Sequence, residues 1–402
     1  MFNLTERNVV LGVTGSIAVY KAADLASKLT QAGARVDVVM TLAATRFISP
    51  LTFEGVTGRR AYSDMFDTAS GAAALHVELG RRADILVVAP ATATTLARLA
   101  LGLAEEMVSL TVLATRAPII VCPAMDAHMF EHAATQHHLE TLRARGVHIV
   151  WPEEGHLASG RMGRGRLPEV ETIMGAIRYM LGRKGNLAGK KVVVSAGGTQ
   201  EPIDPVRYIG NSSSGKMGFA MAEAARDCGA DVILVSGPTA LADPYGVTVV
   251  RVRRAAEMQD TVVARCADAD ALIMAAAVAD YRPAEAVGRK IKRQAEGLTL
   301  SLVRTPDILA AVGSQPGLVK VGFAAESEEL LTNARQKLQA KGLDLIVAND
   351  ITAEGSGFGA DTNKVTFLGR GGDEEELPLM SKYDVAIRIL DRVARLIEAR
   401  AR

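Results

Sequence analysis

The chain has 402 residues, enough for two domains of ordinary size, and its 49% hydrophobic and 23% charged residues are typical of folded globular proteins. Its 46 basic residues nearly balance its 45 acidic residues, so the net charge of +1 gives no electrostatic reason to expect nucleic acid as a partner. Three cysteines without C-x-x-C spacing argue against a zinc site or a disulfide framework, and they favour a reducing cytoplasm. The N-terminus is polar, and the apolar runs are shorter than a membrane span. We therefore predict a cytoplasmic protein that does not bind membranes.

The first half alternates short apolar segments with helical patterns. We predict strands at 8–13, 36–40, 85–89 and 119–122, and a helix at 18–29 that follows a turn at Gly15 and Ser16. Gly33 is placed to end that helix. All seven histidines, from His76 to His156, lie in this half, so side chains that titrate near neutral pH are confined to it.

The second half begins with the same pattern. We predict strands at 191–195, 232–235, 271–276 and 344–348, and a helix at 217–225 ended by Gly229. A polar, glycine-bearing stretch at 183–190 is predicted to be a linker between a domain at 1–182 and a domain at 191–402. The sequences of the halves otherwise diverge, which favours two independent folds over a repeat.

Continuous apolar strands that alternate with helices predict an α/β protein with two doubly wound, Rossmann-like parallel sheets. In such sheets ligands bind beyond the carboxyl ends of the strands. Small, polar and glycine residues follow those predicted strand ends in both halves. The sequence therefore predicts one ligand site in each domain.

Three segments of the first half, 12–18, 89–95 and 123–129, follow strand ends and carry glycine or small hydroxyl side chains. The first is a modest anion cradle at a helix start and lacks the G-x-G-x-x-G spacing of a dinucleotide site. The second permits close approach of a flat ring or a phosphate, and its alternative is a simple helix cap. The third, which contains Met125 and Asp126, is the sharper signal.

The most informative stretch is 197–218, which places glycines, hydroxyls and Lys216 between an apolar strand and an apolar helix. Unpaired N–H groups at a helix start, beside Ser212, Ser213 and Ser214, favour an anion. The spacing is not that of a Walker A motif. Taken alone, it predicts either a nucleotide or phosphate site or a glycine-rich loop that only turns the chain.

As a whole, the 197–218 string resembles the signature of the phosphopantothenate–cysteine ligases, and this resemblance covers nearly all of the second half. The three segments of the first half, with His76 in 75–79, resemble the flavin-containing cysteine decarboxylases, specifically the phosphopantothenoylcysteine decarboxylases. In this order the halves are similar to the bifunctional proteins of coenzyme A biosynthesis. The resemblance implies CTP-dependent ligation of 4'-phosphopantothenate with cysteine through an acyl-cytidylate, then FMN-dependent decarboxylation to 4'-phosphopantetheine.

For the decarboxylase half the resemblance implies FMN as the electron sink, because a saturated cysteine carboxylate cannot lose carbon dioxide easily. It implies that His76 is a base or substrate-orienting group. For an isolated histidine the alternative is a satisfied core residue, and the surrounding motifs favour the functional role. The FMN contacts that it implies are Gly15, Ser16, Thr41, Thr92, Thr94 and Met125.

Two residues depart from the commonest pattern of this family. The Pro-Ala-Met motif usually continues with Asn, whereas here it continues with Asp126. An ionised Asp only accepts hydrogen bonds and would repel a substrate carboxylate, so Asp126 is expected to be protonated, paired with a cation, or used in a different pose. The family commonly has a cysteine where Ser159 stands, and that cysteine is thought to supply a proton during reduction of the enethiol. Here either another donor, water or Asp126, supplies that proton, or the enethiol is reduced inefficiently.

Ser159 belongs to a segment at 155–166 that resembles the substrate-covering flap of the family. Its glycine and arginine spacing suits a hinged lid with cationic contacts to a phosphate. The alternative is a flexible surface loop. We hypothesise that Asp126 and Ser159 together define a compensated variant.

For the ligase half the resemblance implies that Asn211 handles the acyl-cytidylate and that Lys290, in the cationic run 290–293, is the catalytic lysine. Such a run is ordinarily a solvated face. Asp280 is expected to meet ribose or a Mg²⁺ ion that accompanies CTP. The implied CTP contacts are Gly198, Ser212, Ser214, Lys216, Ala276, Asp280, Lys290, Phe323, Lys337 and Lys341.

The predicted function is therefore that of a bifunctional enzyme whose substrates are 4'-phosphopantothenate, cysteine and CTP. The alternative is an active ligase whose decarboxylase half is regulatory or scaffolding, or stops at the enethiol. The resemblance also implies a homo-oligomer, with trimeric decarboxylase cores around the flavin and dimeric ligase domains.

Overall fold

In a computed structural model the chain divides into two compact units, Met1–Leu181 and Gly182–Arg402. The structure describes residues 4–66, 74–292, 298–326, 330–350, 357 and 359–401. Within these ranges no helix is both long enough and apolar enough to cross a membrane. The stretch at 183–190 predicted to be a linker is packed into the second unit, because Leu187 is fully buried and its N–H bonds the Cys228 carbonyl at 3.0 Å.

The first unit is built on a six-stranded parallel sheet with the order β3-β2-β1-β4-β5-β6, and β7 and β8 form a separate antiparallel ribbon. The strands are β1 (Asn8–Val13), β2 (Arg35–Met40), β3 (Ala61–Tyr62), β4 (Ile85–Ala91), β5 (Ile119–Pro123), β6 (His148–Ile149), β7 (Glu153–His156) and β8 (Met162–Arg166). The helices are α1 (Val19–Gln31), α2 (Pro50–Thr57), α3 (Leu75–Arg82), α4 (Ala93–Leu101), α5 (Met107–Ala114), α6 (Ala127–Glu131), α7 (Ala133–Ala144) and α8 (Val170–Gly182), with a 3-10 turn at Ala44–Arg46.

The core of the first unit explains why these apolar runs form strands. Side chains of β1, β4 and β5 are almost fully buried, and one continuous cluster packs them against α3, α4, α5 and α7. Parallel strands buried on both faces read as uninterrupted apolar sequence. The four predicted strands of this half are therefore found, with bounds that differ by at most two residues.

The second unit is built on an eight-stranded sheet with the order β13-β12-β9-β14-β17-β18-β20-β21. Its strands are β9 (Lys191–Ala196), β10 (Gln200–Pro202), β11 (Tyr208–Gly210), β12 (Asp231–Ser236), β13 (Thr248–Arg251), β14 (Ala271–Met274), β15 (Tyr281–Pro283), β16 (Leu302–Arg304), β17 (Val319–Glu326), β18 (Leu345–Asp350), β19 (Thr362–Asn363), β20 (Val365–Gly369), β21 (Glu374–Glu376) and β22 (Met380–Ser381). Its helices are α9 (Lys216–Asp227), α10 (Ala255–Cys266), α11 (Ile308–Val312), α12 (Leu330–Ala340) and α13 (Lys382–Ala401).

This sheet is parallel except at one edge, where β20 pairs antiparallel with β18 and β21 pairs antiparallel with β20. Helices α10, α11 and α12 pack in one core cluster with the central strands, whereas α9 contacts β9 and β12, and α13 packs on α9. The α/β class predicted from the sequence is confirmed, and the antiparallel edge is an addition that the strand pattern did not indicate. Strand β14 ends at Met274, two residues before its predicted end.

Candidate active sites

A cleft of about 450 Å³ opens in the first unit beyond the carboxyl ends of β1, β4 and β5. Its volume lies within the range of roughly 300–1,000 Å³ that small-molecule sites occupy. Its walls are formed by Gly15, Ser16, Ile17, Ala18, Tyr20, Lys21, Thr92, Ala93, Ala124, Met125, Asp126, Met129, His156, Leu157, Ala158, Ser159, Gly165, Arg166 and Leu167.

Buried Thr14 ties together two of the strand ends that form this cleft. Its Oγ1 donates to the Pro90 carbonyl at 2.7 Å and accepts from the Thr92 N–H at 3.1 Å. The β4–β5 ladder is interrupted between Val88 and Ala91, and the Ala89–Pro90 peptide bond is cis. One hydroxyl therefore fixes the wall that presents Thr92.

The turn at Gly15 leads into α1 and needs a glycine. A Cβ atom there would lie 2.6 Å from the Cβ of Ala43, closer than two side chains can pack. The helix starts without a side-chain cap at Ala18, although the Ser16 Oγ accepts from the Ala18 N–H at 3.3 Å. The Val19 and Lys21 N–H groups of this first turn donate to the Ser16 and Ala18 carbonyls at 3.1 and 3.0 Å, so the helix dipole, more than open donors, favours a phosphate here.

The flap formed by β7 and β8 closes one side of the cleft. Its return strand lies against the turn after β5, where the Met125 N–H bonds the Gly165 carbonyl at 3.0 Å. A Cβ at Gly165 would lie 2.1 Å from the Met125 carbonyl oxygen, so only glycine permits this approach. The Arg164 guanidinium lies over the Phe130 and Trp151 rings, at 5.8 and 5.7 Å, which further holds the strand.

At the flap tip the Ser159 Oγ donates to the Asp126 Oδ2 at 2.7 Å. This bond holds the pKa of Asp126 below its ordinary value, with further help from the His128 N–H, which the carboxylate accepts at 3.1 Å as it caps α6. Asp126 is thus an ionised acceptor shared by the flap and a helix start. Of the three states expected for it, the geometry favours a different pose over protonation.

The structure brings six of the predicted first-half residues into the cleft wall: Gly15, Ser16, Thr92, Met125, Asp126 and Ser159. Three others lie outside the wall as the described residues define it. His76 is half-buried at the start of α3, and Thr94 is exposed on α4. Thr41 is buried, and its Oγ1 accepts from the Ala44 N–H at 3.1 Å, so it stabilises the 3-10 turn.

Lys21 lines the cleft and was missed by the sequence reasoning. Its buried side chain donates to the Leu167 carbonyl at 3.0 Å and pairs with Glu169 at 3.1 Å. A lysine on the apolar face of α1, among Val19, Ala22 and Leu25, was the available signal. Buried lysines need partners of this kind.

A larger cleft, of about 740 Å³, opens in the second unit beyond the carboxyl ends of β14 and β17. Its walls are formed by Asn211, Met274, Ala275, Ala276, Ala277, Val278, Asp280, Tyr281, Arg304, Thr305, Pro306, Asp307, Ile308, Leu309, Gly322, Phe323, Lys337 and Lys341. Backbone after β14, two lysines and two carboxylates thus face one volume. This combination suits a polyanion that carries a polar ring.

Hydrogen bonds fix several side chains of this wall. The Asn211 Nδ2 donates to the Val278 carbonyl at 3.1 Å, and the Lys337 Nζ donates to the Phe323 carbonyl at 2.8 Å. Lys341 pairs with Asp307. Burial opposes ionisation of Asp307, but the bond from Lys341 and the Ala310 N–H outweigh it and lower its pKa.

The glycine-rich loop after β9 is packed tightly rather than open. A Cβ at Gly198 would lie 2.7 Å from the Asn211 carbonyl oxygen, and buried Thr199 accepts from the Ala279 N–H at 3.0 Å. A small cavity of about 60 Å³ lies at the start of α9, and Ser214 and Lys216 line it. The loop therefore positions Asn211 toward the large cleft, and Ser213 and Ser214 toward the small cavity.

Of the predicted second-half residues, the large cleft gathers Asn211, Ala276, Asp280, Phe323, Lys337 and Lys341, and the small cavity gathers Ser214, Lys216 and Phe323. Within the described chain, Gly198, Ser212 and Lys290 line neither. Lys290 is exposed, and Arg293 of the same run lies outside the described residues. Sequence reasoning missed Arg304, which ends the short strand β16, and Thr305 and Asp307, which follow it, because none of them lies in a motif that it used.

The part of the chain that the structure describes holds no group of three His, Cys, Asp or Glu side chains that could bind a metal ion. The wall of the large cleft carries two carboxylates, Asp280 and Asp307, and Asp307 is paired with Lys341. Mg²⁺ is commonly bound by one or two carboxylates together with substrate phosphates and water.

Two family models together match almost the whole chain. The model described as Flavoprotein matches residues 2–182, and the model described as DNA/pantothenate metabolism flavoprotein C-terminal domain matches residues 187–397. The coenzyme A biosynthesis bifunctional protein CoaBC of Bacillus subtilis is 46% identical over 397 residues, which cover 98% of each chain.

Two solved structures are each similar to one unit. The C-terminal domain of a coenzyme A biosynthesis bifunctional protein CoaBC is 40% identical, with a TM-score of 0.47, and the match covers 54% of this chain and 100% of that one. A mutant PPC decarboxylase complexed with pantothenoylaminoethenethiol is 32% identical, with a TM-score of 0.41, over 43% of this chain and 97% of that one. The identity and coverage of the full-length relative show that the chain belongs to the family of bifunctional coenzyme A biosynthesis proteins, as its motifs predicted.

Proposed function

We propose that the second unit joins 4'-phosphopantothenate to cysteine and uses CTP to activate the carboxylate. The substrate carboxylate attacks the α-phosphate of CTP, pyrophosphate leaves, and the cysteine amine attacks the acyl-cytidylate to release CMP. The observation that carries this proposal is the large cleft, where Lys337 and Lys341 face Asn211 across one volume. Ammonium groups can stabilise the charge that develops on the phosphates, and an amide can orient the acyl group.

The base and the metal ion would use the segment after β14. Backbone groups of Ala276 can meet the edge of cytosine, and Asp280 lies five residues after Ala275 in the same wall. Asp280 would be the residue that holds a Mg²⁺ ion accompanying CTP, since this ion is commonly bound by one or two carboxylates together with substrate phosphates. Lys290 remains a candidate catalytic lysine, and it would have to move from its exposed position to reach the cleft.

The first unit would bind FMN and decarboxylate 4'-phosphopantothenoylcysteine to 4'-phosphopantetheine. The cleft fits this cofactor: the uncapped start of α1 suits its phosphate, and the small side chains of Thr92, Ala93 and Ala124 leave space for a flat ring. FMN supplies the oxidation and reduction that make carbon dioxide loss possible. The protein binds the substrate, excludes water with the flap and moves protons.

The Asp126 and Ser159 pair would act at the flap tip. Because Ser159 donates to an ionised Asp126, the two side chains lie together at the flap tip and would present one carboxylate oxygen and one hydroxyl to the substrate. The charge of Arg161 contributes least among the causes that lower the pKa of this carboxylate, and the Arg161 guanidinium lies 3.2 Å from the His128 Nε2. This arrangement supports the compensated-variant hypothesis.

His76 would complete the decarboxylase site in an oligomer. It lies outside the cleft wall among the described residues of its own unit, so a second copy of the chain could supply it. Exposed apolar side chains, Leu42, Leu51 and Phe66 among them, are typical of surfaces covered by association. We infer a homo-oligomer with trimeric decarboxylase cores and dimeric ligase domains. We also infer a cytoplasmic location, which the three buried free cysteines support.

The test is to incubate the purified protein with 4'-phosphopantothenate, cysteine, CTP and Mg²⁺ and to identify the products by mass spectrometry. Release of CMP, pyrophosphate and 4'-phosphopantetheine supports both activities. Accumulation of 4'-phosphopantothenoylcysteine would show a first unit that only regulates or scaffolds, an alternative that the match over both units does not favour. An enethiol product would assign the incomplete step to Ser159.

A further inference from the structure

The turn that joins β10 to β11 carries a buried carboxylate that neither proposed activity uses. Asp204 is only 4% exposed, and Pro205 follows it in the chain. The Asp204 Oδ1 accepts from the N–H groups of Val206 and Arg207 at 2.8 and 2.9 Å. An aspartate before a proline is a typical start of such a turn. The turn therefore occupies one carboxylate oxygen and leaves the other for a partner elsewhere.

The second oxygen of Asp204 bonds a distant segment of the chain. The Asp204 Oδ2 accepts from the Ile291 N–H at 3.2 Å, across 87 positions, and pairs with the Arg207 guanidinium at 3.3 Å. The Arg207 Nη2 in turn donates to the Ile291 carbonyl at 3.3 Å. Both the N–H and the carbonyl of Ile291 are thus bonded to the turn at 203–207.

The same turn also holds the chain on the other side of Lys290. The Val287 N–H donates to the Ile203 carbonyl at 3.0 Å. Lys290 lies between Val287 and Ile291, and its own side chain is exposed. A lysine side chain is a flexible four-carbon stem that ends in an ammonium group. The bonds on both sides therefore fix where the stem starts and leave the ammonium group free to turn.

The segment that carries Lys290 starts and ends at the wall of the large cleft. It leaves the wall at Asp280 through β15 and returns through β16 to Thr305. The Thr305 N–H donates to the Asp280 carbonyl at 2.9 Å and closes the base of this ribbon. Strand β10 contacts β15. The turn at 203–207 therefore restrains Lys290 relative to the cleft in which it is proposed to act.

The burial of Asp204 is not explained by the turn alone. Burial opposes ionisation of Asp204, but the N–H groups of Val206, Ile291 and Arg207 outweigh it and lower the pKa of this carboxyl. An aspartate can cap a turn equally well when it is exposed to water, because that task needs only local N–H groups. What the buried position adds is the bond to Ile291.

We propose that Asp204 is a positioning residue of the ligase, which fixes the backbone beside Lys290 through its bond to Ile291. The proposal rests on the proposed ligase function, in which Lys290 is the catalytic lysine. Asp204 lines neither cavity of the second unit, so it contacts no reactant and acts only through Lys290. Such positioning matters, because misplacing a catalytic group by about 1 Å can lower a rate on the order of 100-fold.

The experiment introduces Asp204→Asn into the full-length chain, alone and together with Lys290→Ala. An amide keeps the shape of the carboxylate but has one oxygen to accept hydrogen bonds, so it cannot serve both the turn and Ile291. Release of CMP from CTP labelled at the α-phosphate gives kcat and KM even for slow variants. The control is Asp344→Asn, because Asp344 is 6% exposed, accepts from the Lys320 N–H at 2.8 Å, and precedes β18 at the sheet end opposite the cleft.

We expect Asp204→Asn to lower kcat about 10- to 100-fold and to leave KM for each substrate nearly unchanged. In the Lys290→Ala background the same change should lower kcat no further, because the side chain that Asp204 positions is gone. The control should lower the unfolding temperature without changing kcat. Hydrogen exchange in peptides that span 287–292, measured by mass spectrometry, should be faster in Asp204→Asn than in the parent or the control.

The proposal is overturned if Asp204→Asn lowers kcat by the same factor with and without Lys290, as a purely structural residue would. It is also overturned if Asp204→Asn leaves kcat or the exchange of 287–292 unchanged. Hydrogen exchange needs no turnover, so the two failures can be told apart. A parent protein that releases no CMP refutes the ligase function, whereas unchanged exchange refutes the anchoring of this segment by Asp204.

Discussion

Removing the Thr14 hydroxyl tests whether one side chain holds the flavin cleft together. Thr14→Val keeps the shape of the side chain but deletes a donor to the Pro90 carbonyl and an acceptor for the Thr92 N–H. Both hydrogen bonds lie at a residue that is fully buried.

At about 1–1.5 kcal/mol for each lost bond, the change should cost about 2–3 kcal/mol. For a unit of 181 residues, about 2–4 °C per kcal/mol predicts a fall of roughly 4–12 °C in the unfolding temperature of the first unit. The Thr92 wall should also loosen, so FMN should dissociate more readily.

The assay is differential scanning calorimetry of the full-length protein, with fluorescence titration of FMN into the flavin-free protein. Thr111→Val is the matched control, since Thr111 is equally buried but its hydroxyl only supplements a helical carbonyl, that of Met107, at 2.7 Å. We expect that control to lose less than about 1 kcal/mol. Equal unfolding temperatures and equal FMN affinities in the two variants would refute the reasoning.

Three other predictions concern the flap and the large cleft. Gly165→Ala should displace the flap and raise KM for the decarboxylation substrate at least tenfold. The control Gly155→Ala, where a Cβ meets nothing closer than 3.5 Å, should leave both unchanged. Limited proteolysis measures the flap position, and steady-state kinetics measure KM. Ser159→Cys alone should not accelerate decarboxylation manyfold, and the double change with Asp126→Asn should be more active than either single change; a manyfold gain from the cysteine alone sinks the compensated-variant hypothesis. The pKa of Asp307 is lowered in the folded state, so its ion pair with Lys341 stabilises the protein above the ordinary Asp pKa of about 4. This stabilisation is lost as the pH falls through the folded-state pKa. The urea unfolding midpoints of Asp307→Asn and the parent should therefore converge in acid, and a difference between them that widens in acid contradicts the argument.

Much of the fold could be predicted because buried parallel strands leave a direct mark in the sequence. The apolar runs at 8–13 and 191–195 form central strands, and the residues that follow strand ends do gather at clefts. The antiparallel edge could not be predicted, since β20 and β21 are short, and neither their direction nor their partner is encoded in local pattern.

The sites were predicted only where a motif carried them. Asp126 and Ser159 were each identified, but their hydrogen bond joins residues 33 positions apart and appears only when the flap folds back. Asp307 and Lys341, 34 positions apart, show the same limit. Local sequence indicates which side chains are chemically competent, and long-range packing decides which of them meet.

The flap is seated through backbone and glycine, at Gly163 and Gly165, while its tip carries the side chains that face the cleft. The residues that hold the flap in place therefore differ from the residues that face the cleft. A substitution at the tip, such as the serine that stands at 159 where the family commonly has cysteine, can exchange one proton donor for another without displacing the flap. A family built this way can vary its chemistry by single substitutions while its architecture stays fixed.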